Sequence, residues 1–113
     1  MDLLPTTIRP WLARASDAAT HQGLSLAWHA HAGHGLVDLR LSGPAEALPG
    51  AVQALRDAAL AAKGSLVVTD GPPETIATLD PWGPSPALDL MRRVKAQFDP
   101  RATLNPGRFV GGI

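Results

Sequence analysis

A change of hydrophobic period in the first half of the chain constrains the fold more than any other feature. From Leu24 to Leu41 apolar and polar residues alternate, and only the stretch Ala32-Gly33-His34-Gly35 interrupts the alternation. A period of two is typical of strands that bury one side, and a short Gly-containing stretch between two such runs indicates a tight connection. The segment therefore predicts a β-hairpin with a four-residue loop.

The register of this hairpin follows from pairing His31 with Leu36 across the loop. That pairing sets His29 opposite Asp38 on the side of the ribbon that carries polar residues. Trp28 falls on the other side and is predicted to lie in the hydrophobic core. One choice of register thus assigns both sides of the ribbon.

Helical patterns lie on both sides of the hairpin in the sequence. Thr6-Thr7 offers hydroxyl N-caps for a helix that stops near Gly23, and Ala51 to Ala62 forms a second helical stripe that ends at Lys63-Gly64. Short strand-like runs at residues 2–4 and 65–69 complete the order strand, helix, strand, strand, helix, strand. This order predicts an α+β fold. Residues 1–70 are expected to form a ferredoxin-like split βαβ sandwich, an antiparallel sheet with both helices on one face.

The remaining residues, 71–113, are predicted to form a carboxy-terminal arm with one helix. The segment from Gly71 to Pro86 is rich in proline, and a helical pattern follows from Ala87 to Phe98. Asp99-Pro100 ends this helix because the residue before a proline is pushed out of the α region. Asn105-Pro106-Gly107 then predicts a tight turn in which the glycine supplies a positive φ. We expect the arm to pack on residues 1–70 and toward a further domain.

The charge balance and the lack of cysteine exclude several classes of function. Ten basic residues balance ten acidic ones, which removes the electrostatic argument for binding nucleic acid or an anionic membrane. Without cysteine there is no disulfide framework, thiolate metal site or thiol nucleophile. No apolar run reaches the ~20 residues of a transmembrane helix, and the first residues lack a signal-peptide pattern. We therefore expect a cytoplasmic domain whose partner is a small molecule or another protein.

The carboxy-terminal run from Met91 to Arg108 carries a family resemblance. A basic amphipathic helix leads into Phe98-Asp99-Pro100, a short spacer and Leu104-Asn105-Pro106-Gly107-Arg108, and Asp80-Pro81-Trp82-Gly83-Pro84 lies upstream. This order of residues is similar to the ending of FAD-linked oxidases of the vanillyl-alcohol oxidase type. Within that group it resembles the C-terminal cap domain of the FAD-binding small subunit of glycolate oxidase.

The resemblance implies a domain that does not act alone. Such a cap completes the substrate side of an FAD-dependent enzyme that oxidises small 2-hydroxy acids, and an FAD-binding domain precedes it in the complete polypeptide. The expected partners are that missing N-terminal domain, other glycolate oxidase subunits and the 2-hydroxy acid. By the same resemblance Asn105 and Arg108 would lie at the interface with the FAD domain. The chain by itself is expected to bind no FAD and to be inactive.

His29, His31 and Arg40 are the candidates for catalytic or substrate-binding residues. They share the open side of the predicted ribbon, and a guanidinium binds a carboxylate through two parallel hydrogen bonds. His34 in the loop would bring a third imidazole beside them, so His29, His31 and His34 are also the candidates for a metal site. Larger relatives in the flavin oxidase group have a His-x-Gly-Asp-Gly-Asn-x-His run in their caps. Here His34 replaces the first Asp and Asp38 stands where the last His would be, so we expect no bound metal.

Two other functions stay open at this point. A self-contained ferredoxin-like module would dimerise through its open sheet face and bind a ligand or regulate another protein, without any preceding domain. A histidine-based metal protein is the other alternative. The reading frame upstream of the chain discriminates between a cap and a module, since Gly-rich FAD-binding segments there support the cap.

Overall fold

The predicted hairpin is present in the computed structural model, which describes all 113 residues. Strand β1 (Ser25–His31) pairs antiparallel with β2 (Leu36–Ser42), and His31 lies opposite Leu36 as predicted. His29 accordingly lies opposite Asp38. A shift of one residue would move every apolar side chain to the wrong face, so the alternation and the loop length together determine the register.

The two helices that flank the hairpin in sequence are α1 (Ile8–His21) and α2 (Leu48–Ala61). Both predicted helices are confirmed, and Pro10 lies in the first turn of α1, where its missing N–H breaks no helical bond. The predicted hydroxyl cap of α1 is wrong. The Oγ1 of Thr7 donates a hydrogen bond to the carbonyl of Leu4 at 2.8 Å, so it does not accept one from the helix.

The hydrophobic core lies between these two helices and one side of the hairpin. Val37 of β2 is fully buried, and the strand residues that share its side, Leu26, Ala30, Leu39 and Leu41, pack against the same cluster. The buried residues that the helices contribute are Ile8, Trp11, Leu12, Ala15, Val52, Leu55 and Ala59. The other side of the hairpin carries polar residues and is exposed.

Trp28 departs from the prediction that the alternation makes. Its side chain is 55% exposed, although it pairs with Leu39 as the register requires. β1 is the outer strand of the sheet, and Leu26 and Ala30 on the same side are themselves only half-buried. Alternation assigns a side chain to a face, whereas burial also requires another element above that part of the strand. The prediction of a buried Trp28 is therefore wrong.

The sheet is smaller than predicted. It has two strands, and Asp2 adds one isolated antiparallel bridge to Leu36 and another to Ser65. The predicted strand Ser65–Thr69 forms only that single bridge, because no strand lies beside residues 66–69. The fold is α+β with a two-stranded antiparallel sheet and four helices. A complete four-stranded ferredoxin-like sheet is not present.

Two glycines let the amino-terminal residues approach the sheet closely. A Cβ on Gly35 would lie 2.1 Å from the carbonyl oxygen of Leu3, and a Cβ on Gly64 would lie 2.2 Å from that of Asp2. Gly64 is predicted to serve as the usual glycine after a helix C-terminus, but Lys63 takes the left-handed conformation there, with a φ of 58°. Gly64 is needed instead because two backbones pass each other at this point.

The chain divides into two compact units, Met1–Leu79 and Asp80–Ile113. The first unit contains the hairpin, α1, α2 and a one-turn helix, α3 (Pro73–Ile76), within the Pro-rich segment. The second unit contains α4 (Leu88–Phe98), which ends at the predicted position before Asp99-Pro100. None of the helices is long and apolar enough to span a membrane.

Candidate functional site

The open side of the hairpin brings together the candidate residues of the first unit. His29 and His31 on β1 and Asp38 and Arg40 on β2 are all exposed and lie on the side opposite Val37. They share this side because residues two apart in a strand point the same way and paired residues share a face. The predicted grouping of His29, His31 and Arg40 on one face thus follows from the observed register.

The polar groups on this face are in loose contact. The rings of His29 and His31 meet edge to face, with centroids 4.7 Å apart, and Nε2 of His31 lies 3.9 Å from Oδ2 of Asp38. Both members of that pair are more than half exposed, so water screens the interaction and its contribution to stability is small. The arrangement offers two imidazoles, one carboxylate and the Arg40 guanidinium to any molecule that covers the face.

His34 lies in the exposed loop between the two strands. Its backbone N–H donates to the carbonyl of His31 at 2.9 Å, which closes the hairpin turn. No group of three or more His, Asp or Glu side chains in the chain is arranged to hold a metal ion.

In the second unit, the carboxylate of Asp99 organises the segment that follows α4. Asp99 is 7% exposed, and its Oδ1 accepts hydrogen bonds from the N–H of Thr103 at 2.9 Å and from its hydroxyl at 3.1 Å. Oδ2 accepts a hydrogen bond from the N–H of Leu104 at 2.9 Å. The same oxygen forms an ion pair with Nζ of Lys95 at 2.6 Å. The same ammonium group donates to the carbonyl of Leu104 at 2.5 Å. One buried carboxylate thus ties the end of the helix to the chain five residues further on.

The surroundings of Asp99 stabilise its ionised form. The hydrogen bond from Lys95 is the largest cause, and the N–H groups of Leu104 and Thr103 add to it, so the pKa of Asp99 lies well below its ordinary value. Desolvation acts in the opposite direction but is outweighed. Asp99 is therefore a structural anion at neutral pH, and it does not supply a proton to a reaction.

The predicted turn after Leu104 is confirmed. The N–H of Arg108 donates to the carbonyl of Asn105 at 3.2 Å, and Gly107 has a φ of 74°, as a type II turn requires. Asn105 itself has a positive φ of 45°, a conformation that asparagine tolerates better than most residues. The side chains of Asn105 and Arg108 are both exposed.

These two side chains border an open apolar concavity of about 650 Å³. Its walls come from α4 and from the last residues of the chain, and the lining residues besides Asn105 and Arg108 are Ala87, Leu90, Met91, Val94, Lys95, Leu104, Phe109 and Ile113. Leu90, Val94, Leu104 and Phe109 are each about half exposed or more. A contiguous exposed apolar patch rimmed by polar groups is typical of a surface that contacts another protein domain.

The residues of the chain do not form a complete flavin site. Phosphate groups of dinucleotides are usually held by a Gly-rich turn that opens a helix, but Gly33 and Gly35 lie in a hairpin loop that leads into a strand. Asn105 and Arg108 lie at the rim of an open surface rather than in an enclosed cavity. In this position the two side chains cannot enclose a cofactor by themselves.

The sequence interpretation missed Asp99 as an organising residue and treated it only as the end of a helix. The signal was available, because Lys95 precedes Asp99 by one helical turn and Thr103 follows it at a capping distance. Trp82 packs edge to face on Phe109, with ring centroids 5.1 Å apart, so it makes a local contact within the second unit.

Comparison with known proteins adds an independent observation. Residues 4–109 match the family model described as FAD linked oxidases, C-terminal domain. No curated protein and no solved structure matches the chain. The matched range includes the hairpin, α4 and residues 99–104, which are called the Asp99-anchored segment. The match therefore includes residues of both units.

Proposed function

The chain belongs to the family of C-terminal domains of FAD-linked oxidases, and we propose that it is the substrate-side cap of an enzyme that oxidises a small 2-hydroxy acid such as glycolate. In this proposal an FAD-binding domain precedes the cap in the complete polypeptide, and the flavin supplies the redox chemistry. The cap binds and orients the substrate and contacts the flavin-carrying part. Alone, it retains no FAD and oxidises no substrate.

The observation that carries the proposal is the Asp99-anchored segment beside an uncovered apolar surface. The carboxylate of Asp99 orders the backbone up to Leu104, and the turn from Asn105 to Arg108 follows directly. Ordering an exposed segment costs conformational entropy, and the chain offsets that cost here with a partly buried ion pair between Asp99 and Lys95. A pre-ordered polar turn at the rim of an apolar concavity supports a docking role toward another domain.

The substrate class is argued from the open face of the hairpin. Arg40 forms no ion pair with a carboxylate of the chain, so its guanidinium is available to the carboxylate of a 2-hydroxy acid. His29 and His31 lie on the same face and offer imidazole groups for the hydroxyl of such a substrate.

A comparison of the isolated chain with the full-length polypeptide tests the proposal. We expect flavin absorbance and glycolate-dependent dye reduction only with the preceding domain, because this chain lacks the phosphate-binding loop that FAD requires. A metal-free, stable dimer of the isolated chain that binds a ligand through its open face would favour the self-contained module. An upstream reading frame without FAD-binding segments would contradict the cap.

The role of Arg40 is tested separately in the full-length enzyme. Arg40→Ala should raise the KM for glycolate roughly 30-fold, because a charge-assisted hydrogen bond of about 2 kcal/mol is removed. Arg14→Ala is the matched control, since Arg14 is exposed on α1, on the opposite side of the sheet. Equal KM values for the two variants would remove Arg40 from the substrate site while leaving the cap assignment intact.

A further inference from the structure

A groove in the first unit has no place in the proposed substrate chemistry. It has a volume of about 530 Å³ and runs between β2 and the extended segment from Leu66 to Asp70. Its lining comes from both of these borders, from Leu48, Val52 and Leu55 of α2, and from the α3 segment, which contributes Gly71, Pro72, Thr75, Ile76 and Leu79. The groove therefore has two backbone borders and an apolar floor.

Beyond the contact of Val37 with Met1, the backbone groups that face the groove lack backbone hydrogen-bond partners within the chain. Residues Leu66–Gly71 form no backbone hydrogen bond. On β2, Val37 exchanges two hydrogen bonds with Met1, at 2.9 and 3.1 Å, on the side away from β1. Because N–H and C=O groups alternate in direction along a strand, those of Leu39 and Leu41 also point away from β1 and into the groove. Two parallel rows of unpaired donors and acceptors thus face each other.

The amino-terminal residues already lie between the two borders at one end of the groove and show that a β-strand fits there. Asp2 bridges Leu36 on one side and Ser65 on the other, so at that level the borders are one strand apart. Its hydrogen bonds with Ser65 measure 3.0 and 3.2 Å, and Gly35 and Gly64 make room for the backbone on the two sides. The strand direction at Met1 carries any preceding residue directly into the groove.

We infer that the groove binds a central β-strand, which the polypeptide that precedes Met1 supplies in the full-length protein. This strand runs antiparallel to β2 and to residues 66–69, and it completes a four-stranded sheet in the order β1, β2, new strand, residues 66–69. The inference depends on the proposed function only in that a polypeptide precedes Met1. The added strand would continue the backbone hydrogen-bond ladder that Asp2 begins.

The observed register predicts the side-chain pattern of this strand. Met1 lies opposite Val37, so the second and fourth residues before Met1 lie opposite Leu39 and Leu41, which face the core. On the other border the second residue lies opposite Val68, which also packs against the core. Apolar side chains are therefore required at the second and fourth positions before Met1, and polar ones are tolerated at the first and third.

Two extensions of identical composition test the inference in the 113-residue chain. One places Val-Thr-Val-Thr before Met1, with valines at the inward positions, and the other places Thr-Val-Thr-Val there, which reverses the pattern. We expect the first to raise the thermal unfolding midpoint by roughly 5 °C and the second to leave it nearly unchanged. Equal shifts for both extensions, or no shift for either, would overturn the inference.

Amide hydrogen exchange shows whether the added strand pairs with both borders of the groove. The backbone amides of Leu39, Leu41, Val67 and Thr69 should exchange at least about 10-fold more slowly with the inward-valine extension than in the unextended chain. The same amides should be protected in the full-length protein. If they exchange freely there while FAD binding and glycolate oxidation are intact, the strand assignment fails and the proposed function stands. Protection that appears in the unextended chain only at high concentration, together with dimer formation, would make a second copy the occupant and would also overturn the inference.

Discussion

Among single side chains, Asp99 holds the segment that follows α4 through several hydrogen bonds. Its carboxylate is buried and accepts hydrogen bonds from Thr103, Leu104 and Lys95. Asp99→Asn keeps the shape but removes the charge, so we expect the amides of Thr103 and Leu104 to exchange at least about 10-fold faster. Asp89→Asn is the control, because Asp89 is an exposed residue of the same helix. If both variants gave the same exchange rates, Asp99 would not hold the segment.

The lowered pKa of Asp99 makes the order of this segment depend on pH. Since the pKa is lower in the folded chain than its ordinary value of 3.8, the ionised form stabilises the fold above that value. The stabilisation should begin to be lost as the pH falls below about 4 and should disappear once the pH passes the lowered pKa. An NMR titration of the Thr103 and Leu104 amide shifts measures this directly. A midpoint at the ordinary carboxyl value would contradict the geometry, and Asp99→Asn should abolish the transition.

The sequence predicts single residues well only where their role is local. The turn at Asn105-Pro106-Gly107 is foreseen because proline and glycine restrict the backbone at their own positions. Asp99 is foreseen as a helix end for the same reason. The spacing of Lys95 and Thr103 from Asp99 is visible in the sequence, but the hydrogen bonds to Thr103 and Leu104 form only once the segment has folded back, so the full network is not predicted. Nothing in local propensity reports that a carboxylate will be buried.

Among the secondary-structure elements, the close approach of Gly64 to the amino-terminal residues predicts whether a glycine-to-alanine change stabilises or destabilises the chain. Gly64→Ala should destabilise the chain by about 1–3 kcal/mol, because the new Cβ would lie 2.2 Å from the carbonyl oxygen of Asp2. Gly50→Ala is the matched control within α2, where the Cβ meets only Oε1 of Gln22 at 3.8 Å. It should stabilise by about 0.5–1 kcal/mol, because alanine favours a helix over glycine. Thermal unfolding of both variants checks the opposite signs, and a neutral Gly64→Ala would show that Asp2 does not pair with Ser65.

The same elements show how far a periodic pattern can be trusted. The hairpin register is predicted in full because side-chain alternation and loop length act within a few residues. The burial of Trp28 and the pairing of residues 65–69 are not predicted correctly, because each depends on an element distant in sequence. A strand-like composition provides the tendency to pair, but a ladder forms only where a neighbouring strand is present. The open face with His29, His31 and Arg40 is predicted because it depends on register alone.

For the complete chain, the exposed apolar concavity of the second unit gives the most direct test of the docking proposal. Val94 lines it and is about half exposed, so Val94→Glu should change the stability of the isolated chain by no more than about 0.5 kcal/mol. In the full-length protein the same carboxylate would be buried without a partner, at a cost of at least about 2 kcal/mol. We therefore expect Val94→Glu to lower the unfolding midpoint and the retention of FAD only in the full-length context.

Ala96→Glu separates this effect from the mere addition of charge. Ala96 is an exposed residue of α4 that does not line the concavity, and a glutamate there adds the same charge to the same helix. It should be neutral in both contexts, because glutamate is well tolerated on an exposed helix surface. If the two variants behaved alike in the full-length protein, the concavity would be a solvent-facing surface, and Asn105 and Arg108 at its rim would have no docking role. If only Val94→Glu released the flavin, the apolar face of α4 would be the surface on which the FAD-carrying part of the enzyme packs.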